Sequence, residues 1–213
     1  MTAQLWCFGE SGNAYKAALT MELAGYGWRP VYVDFFNGEA RSPEFRALNE
    51  MGEVPVFREG GLTLTQSAVI QLHIAERSGK FLGRDRSEVL RWLMFDNHKL
   101  SGQAGSARFL ANFLPEAKRP QEVIGFLQSR LRATYKVLND HLASRDWIVD
   151  AAPTIADFAC CGYLFYPEPF GFSRAEWPHI DRWLDGIAAL PGWKHPYDLM
   201  PGNPSDRATK EDA

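Results

Sequence analysis

The 213-residue chain has no uninterrupted apolar run of the ~18 residues that a membrane-spanning helix needs, so no membrane partner is expected. It has no excess of positive charge either. Its 23 Lys and Arg against 26 Asp and Glu give a formal net charge of −3, which leaves nothing to drive binding to nucleic acid or to an anionic lipid surface. Cysteine is scarce. Cys7, Cys160 and Cys161 cannot all pair, and the adjacent two are poorly placed to pair with each other. Reduced, buried thiols in a cytoplasmic protein are the expectation. His73, His98, His141, His179 and His195 show no ligand spacing with one another or with acids, so no metal is expected. The opening residues, Met1 to Glu10, lack the basic region and long apolar stretch of a secretory leader. An apolar fraction of 46% is enough for one large or two small cores over this length.

The first 80 residues alternate strand and helix signals. Gln4 to Phe8 is a short apolar strand, Gly9 to Asn13 a loop rich in turn residues, and Tyr15 to Ala24 a helix ended by Gly25 and Gly27. Val31 to Phe35 reads as a second strand, which makes a right-handed βαβ unit. Asn49 to Ile70 reads as a loop, a hairpin and a helix start. Val54 to Phe57 is the first strand, Arg58 to Gly61 the turn, Leu62 to Thr65 the return strand, and Gln66-Ser67-Ala68 opens the helix. Pro55 cannot donate to a ladder, so it belongs at a strand start, and a cis bond is the usual reason to keep proline at such a bend. The bend would leave the Val54 N–H and C=O for an extended ligand. The helix at Ser67 would point orphan N–H groups at a carboxylate.

Asn49-Glu50-Met51-Gly52-Glu53-Val54-Pro55, a hairpin, then Gln66-Ser67-Ala68-Val69-Ile70 resembles the glutathione site of the glutathione transferase family, whose pattern is Asn-Pro-x-Gly-x-Val-Pro and Glu/Gln-Ser-x-x-Ile. Ser11-Gly12-Asn13-x-Tyr15-Lys16 resembles the first-helix start of bacterial serine-type members. The resemblance implies a thioredoxin-like N-terminal domain with a mixed four-stranded sheet, followed by an all-helical C-terminal bundle. It also implies glutathione as co-substrate. Val54, Pro55, Gln66 and Ser67 would bind the peptide, with Glu53 contributing backbone. Related classes carry a His-Lys pair where Ala40-Arg41 stands here, so Arg41 would grip the glycine carboxylate or else be a solvated surface residue. Glu53 replaces the Lys or Gln of many relatives, and Gln66 replaces a Glu.

Where thioredoxins carry Cys-x-x-Cys, this chain has Ser11-Gly12-Asn13-Ala14, which excludes dithiol exchange at that position. A hydroxyl at a helix N-terminus can still donate to a thiolate. Lowering a thiol pKa of ~8.5 by one unit takes about 1.4 kcal/mol of preferential anion stabilisation. Ser11 is the candidate catalytic residue, with helix capping as its alternative role. Asn13 either shares the thiolate or braces the loop.

Ser78 to Asp85 is a polar linker, so the expected organisation is residues 1–78 as the glutathione-binding domain, 79–87 as linker and 88–213 as the helical domain with a polar tail. Val89, Leu90, Trp92, Leu93, Asn97 and Leu100 suggest one long helix; Ile124, Leu127, Leu131, Tyr135, Leu138 and Leu142 stripe a second, from about Gln121 to Leu142. Thr154-Ile155-Ala156-Asp157 matches a capping box opening a buried helix to about Phe165. Trp177 to Leu190 is the last helix. Phe8, Phe109, Phe113, Tyr163 and Tyr166 are available to a second substrate.

The function implied is a glutathione transferase acting on a small hydrophobic electrophile. The fold also hosts glutathione-dependent reductases, isomerases and dehalogenases. The rival is a non-catalytic binding or scaffold protein on the same fold. The family usually forms homodimers, and Met51 stands where some classes place an aromatic residue that plugs into the neighbouring subunit; a local contact under the loop is the alternative.

Overall fold

The computed structural model describes residues 2–202. The polar tail from Asn203 to Ala213, expected to be loose, lies outside them. The described chain forms two compact units, one of residues 2–80 together with 191–202, the other of residues 81–190. The segment from Pro191 thus belongs with the N-terminal unit, against the expectation that everything past residue 87 joins the helices.

The first unit is built on a four-stranded sheet in the order β2-β1-β3-β4. β1 (Ala3–Cys7) lies inside it, parallel to β2 (Trp28–Tyr32) and antiparallel to β3 (Val56–Glu59), which pairs with β4 (Leu62–Thr65). Alternation along β1 puts Ala3, Leu5 and Cys7 fully inside. The second strand begins and ends three residues earlier than expected. Trp28, Arg29 and Pro30 give no apolar alternation because β2 is an edge strand, and Pro30 is tolerated there for the same reason. In the hairpin only Gly60 and Gly61 form the turn; Arg58 and Glu59 are in the ladder opposite Thr63 and Leu62.

α1 (Gly12–Ala24) joins β1 to β2 and is buried almost all round. Ser11 caps its start, and Gly25, at φ 68°, ends it by donating to the Glu22 carbonyl. α2 (Pro43–Leu48) starts with Ser42 as cap and Pro43 at the first helical position, which is why Ser-Pro-Glu-Phe opens a helix. α3 (Ser67–Ser78) packs on α1, where Gln71 donates to the Thr20 hydroxyl at 3.0 Å.

The second unit is helical. The expected single long helix is α4 (Arg86–Phe95), a π-helical stretch from Asp96 to Ser101, and α5 (Gly102–Asn112). α6 (Gln121–His141) buries Ile124, Leu131, Tyr135 and Leu138. α7 (Ile155–Cys160) is buried throughout. It stops short of Phe165 because Gly162 and Leu164 donate to carbonyls three residues back, a turn pattern in place of helix. α8 (Pro178–Ala188) follows, and α9 (Pro196–Leu199) returns to the first unit. No described helix is long and apolar enough to cross a membrane, and the described residues hold no cluster of three metal-ligating groups. The three cysteines are buried and outside any disulfide. Burial pushes the Cys7 thiol from 9.0 up to about 12.

Candidate active site

Ser11 is 7% exposed, and its Oγ accepts from the Ala14 N–H at 3.1 Å. An accepting hydroxyl keeps its own proton to give away, and no acceptor for it exists among the described residues. The N-cap role and a donor role are therefore compatible in one side chain. The Ser11 N–H donates to the Phe8 carbonyl at 3.0 Å, which closes the loop tightly. Asn13 Oδ1 accepts from Lys16 Nζ at 3.0 Å. Lys16 is fully buried, so a cation lies directly behind the loop. Sequence reasoning did not single it out; its signal is a lysine in a helix with no solvent face, between Tyr15 and Ala17-Ala18-Leu19.

The second group sits on the loop before β3. The Val54–Pro55 bond is cis, as the bend suggests. Val54 precedes the ladder, and no backbone hydrogen bond engages it among the described residues. Asn49, 1% exposed, ties the loop from within: its Nδ2 donates to the Glu53 carbonyl at 2.7 Å and its Oδ1 accepts from Met51 N–H at 3.2 Å. Gly52, at φ 66°, is obligatory, since a Cβ there would lie 2.9 Å from the Ala40 carbonyl oxygen. That close approach sets the turn carrying Arg41 against the Gly52–Val54 loop. Arg41 is exposed and has no ion-pair partner among the described residues, and the Glu53 side chain is likewise exposed.

The third group is the start of α3. Gln66 rather than Ser67 is the N-cap. It holds φ 67°, a left-handed conformation rare outside glycine, and gives no side-chain cap. Its Nε2 instead reaches Met51 Sδ at 3.1 Å, linking this helix to the Val54 loop. The N–H groups of Ser67, Ala68 and Val69 have no acceptor among the described residues, and neither has the Ser67 hydroxyl.

Packing joins the groups. Phe8 stacks on Phe35 with centroids 4.8 Å apart, and Phe35 and Val54 both pack on the cluster of Val33, Ala40, Phe45 and Val56. Phe36, 37% exposed, sits edge-on to both rings, so an aromatic surface adjoins the Ser11 loop. Of the other aromatic candidates, Phe109 is part-exposed, while Tyr163 and Tyr166 are buried in the helical unit.

The profile of the Glutathione S-transferase N-terminal domain matches residues 1–76, and that of the C-terminal domain matches residues 106–191. Glutathione S-transferase 4 of Zea mays is 30% identical over 196 residues, covering 87% of this chain and 87% of that protein. The chain belongs to the glutathione S-transferase family. Another relative of this family member is the Disulfide-bond oxidoreductase YfcG of Escherichia coli K12, 27% identical over 194 residues and covering 86% of this chain and 89% of that one. A glutathione S-transferase crystal structure from Xanthobacter autotrophicus Py2 superposes with a TM-score of 0.84 at 32% identity, spanning 97% of this chain and all of that one.

Proposed function

We propose that this family member is a cytoplasmic transferase that activates the glutathione thiol for attack on a small hydrophobic electrophile. The observation that carries the reading is the Ser11 hydroxyl, held as an acceptor by Ala14 with its proton still to give at the N-terminus of α1. The γ-glutamyl carboxylate would take the unsatisfied N–H groups and hydroxyl at the start of α3, beside Gln66. The peptide backbone would pair with Val54 at the cis Pro55, with Glu53 lending only its main chain, and Arg41 would meet the glycine carboxylate. The thiol loses its proton to solvent, Ser11 and the α1 dipole hold the thiolate, and Asn13 keeps the loop in place through Lys16. The sulfur electron pair then forms the C–S bond while the leaving group departs with its own pair. Ser11→Ala should lower turnover roughly tenfold to a thousandfold, the range for one oxyanion-type donor, with glutathione affinity nearly unchanged. Retention on immobilised glutathione followed by a conjugation assay tests it. Unchanged turnover in Ser11→Ala alongside an inactive Asn13→Ala would move the role to Asn13. Retention without any conjugation would favour a binding protein.

The oxidoreductase relative supports a second reaction at the same thiolate. Attack on a disulfide sulfur would form a glutathione mixed disulfide and release a thiolate, with no protein thiol at residues 11–14 required.

We also infer a homodimer. Met51 is 54% exposed on a loop flanked by exposed Glu50 and Glu53. The helical unit carries a complementary surface. A cavity of about 300 Å³ is lined by Phe95, Ala133 and Val137 and edged by Lys99 and Arg130, neither of which has an ion-pair partner among the described residues. Met51 of a second copy would fill it, with Glu50 and Glu53 facing the two cations. This accounts for glutamate at position 53. Met51→Lys should weaken the dimer more than tenfold in sedimentation. Lys99→Glu should weaken it and Glu53→Lys in the same chain should restore it; a tight dimer in every variant would remove this contact.

A further inference from the structure

The chain does not end its structural work at α8. Residues 191–202 run along α1 toward its N-terminus and finish on the loop that bears Ser11. Lys194 Nζ pairs with Glu22 Oε1 at 2.7 Å near the far end of the helix. The Lys194 carbonyl accepts from the Tyr15 hydroxyl at 2.9 Å, one turn after Ser11. α9 then buries Pro196 and Leu199, and Met200 follows at 3% exposure. The Pro201 carbonyl finally accepts from the Gly9 N–H at 2.6 Å. Gly9 lies between Phe8, whose carbonyl holds the Ser11 N–H, and Ser11 itself. Gly202 closes the segment at φ 77° against the Tyr32 ring, where a Cβ would overlap ring carbons.

We propose that residues 191–202 are a strap that fixes Ser11 for catalysis, with the Pro201 carbonyl as its positioning contact. The inference rests on Ser11 as the thiolate donor. Ser11 is held locally, by its N–H to the Phe8 carbonyl, by its carbonyl from the Tyr15 N–H and by its capping bond from Ala14. The Gly9–Pro201 bond ties the loop to a distant part of the chain. A hydroxyl donor displaced by about 1 Å loses much of its hold on a developing thiolate, and such misplacements cost up to about a hundredfold in rate. The residues that would grip the peptide lie on other elements, the loop before β3 and the start of α3. Loosening the strap therefore separates thiol activation from glutathione binding.

The test compares the full chain with its Gly202→Ala variant, whose Cβ would overlap the Tyr32 ring and so displace the adjoining Pro201 carbonyl from Gly9. Conjugation rates are followed against pH with a chlorinated nitroaromatic electrophile, and exchange of the Gly9 amide is followed in each folded protein. Gly202→Ala is expected to lose about tenfold in kcat on the acidic limb of the profile, the equivalent of raising that limb by about one pH unit. Its KM for glutathione should stay within twofold, and Gly9 should exchange faster. A general loss of folded protein would not move the limb. If Gly202→Ala fails to fold, Leu199→Ala in the full chain loosens the same segment and carries the same expectations. A wild-type limb and kcat despite fast Gly9 exchange would overturn the proposal, as would unchanged Gly9 exchange. Ser11→Ala with full turnover would sink the thiolate reading instead, and the Gly9 exchange comparison would show the strap to be intact regardless.

Discussion

α7 and α3 both begin beside a hydroxyl residue, and they use it in opposite ways. At the start of α7 every polar group is matched within the unit. Thr154 Oγ1 accepts from the Ala156 N–H, and Asp157 returns a carboxylate to the Thr154 N–H at 2.8 Å. The same carboxylate takes the Ile148 N–H and the Trp183 indole N–H, both at 2.9 Å. Burial pushes the Asp157 carboxyl up, and its four donors oppose that by stabilising the anion. At the start of α3 the Gln66 carbonyl takes the Ile70 N–H, and among the described residues the rest is unmatched. Gln66 turns away to Met51, and three N–H groups and the Ser67 hydroxyl are left over. An inward-looking helix start stabilises a core, and an outward-looking one forgoes that stabilisation and is available to an anion. Ser11 stands between the two cases, accepting from its own helix while its proton stays available.

The contrast predicts where a substitution hurts. Asp157→Ala strands four buried donors and should cost about 3–5 kcal/mol of stability, the range for removing one partner of a buried charged network. The denaturation midpoint reads the loss, while glutathione affinity per folded molecule should hold. A variant as stable as wild type would mean that water can replace the carboxylate. The next largest effect separates both helix starts from the sheet. The Cys7 thiol stays protonated in the fold up to about pH 12, whereas in the unfolded chain it ionises near 9.0. The unfolded state therefore sheds its proton first, and stability should fall between those pH values by at most about 1.4 kcal/mol per unit. Cys7→Ala should flatten that slope in alkaline denaturation, and an unchanged slope would assign it to other groups. The smallest effect lies at α3. Ser67→Ala removes no cap and should leave stability within about 0.5 kcal/mol. It should weaken glutathione binding by about 1 kcal/mol, several-fold, in calorimetry. Equal losses of stability and binding would erase the distinction between the two helix starts.

Local chemistry was readable where it needs only neighbours in sequence. The Thr154–Asp157 box, the proline at the cis bond and the terminator Gly25 are short-range signals whose physics is complete within a few residues. The stripe on α6 was legible because one face meets a core. The start of β2 was not, because an edge strand has no buried face to impose alternation. Asn49 was visible as a motif letter, but its work of closing the loop through Glu53 and Met51 depends on its being buried.

By itself, then, the sequence determined the Thr154–Asp157 and Gly25 caps, the existence of the hairpin, the amphipathic stripes and the residue types at the three site segments, since each follows from torsional preference or periodicity over a few residues. Only tertiary structure decided that Ser11 keeps its proton while capping, that Lys16 is buried behind Asn13, that Gly52 must yield to the Ala40 carbonyl, and that residues 191–202 return to the Gly9 loop. Those facts are contacts between residues far apart in the chain or choices of hydrogen-bond partner, and no local propensity encodes which distant carbonyl an N–H will meet.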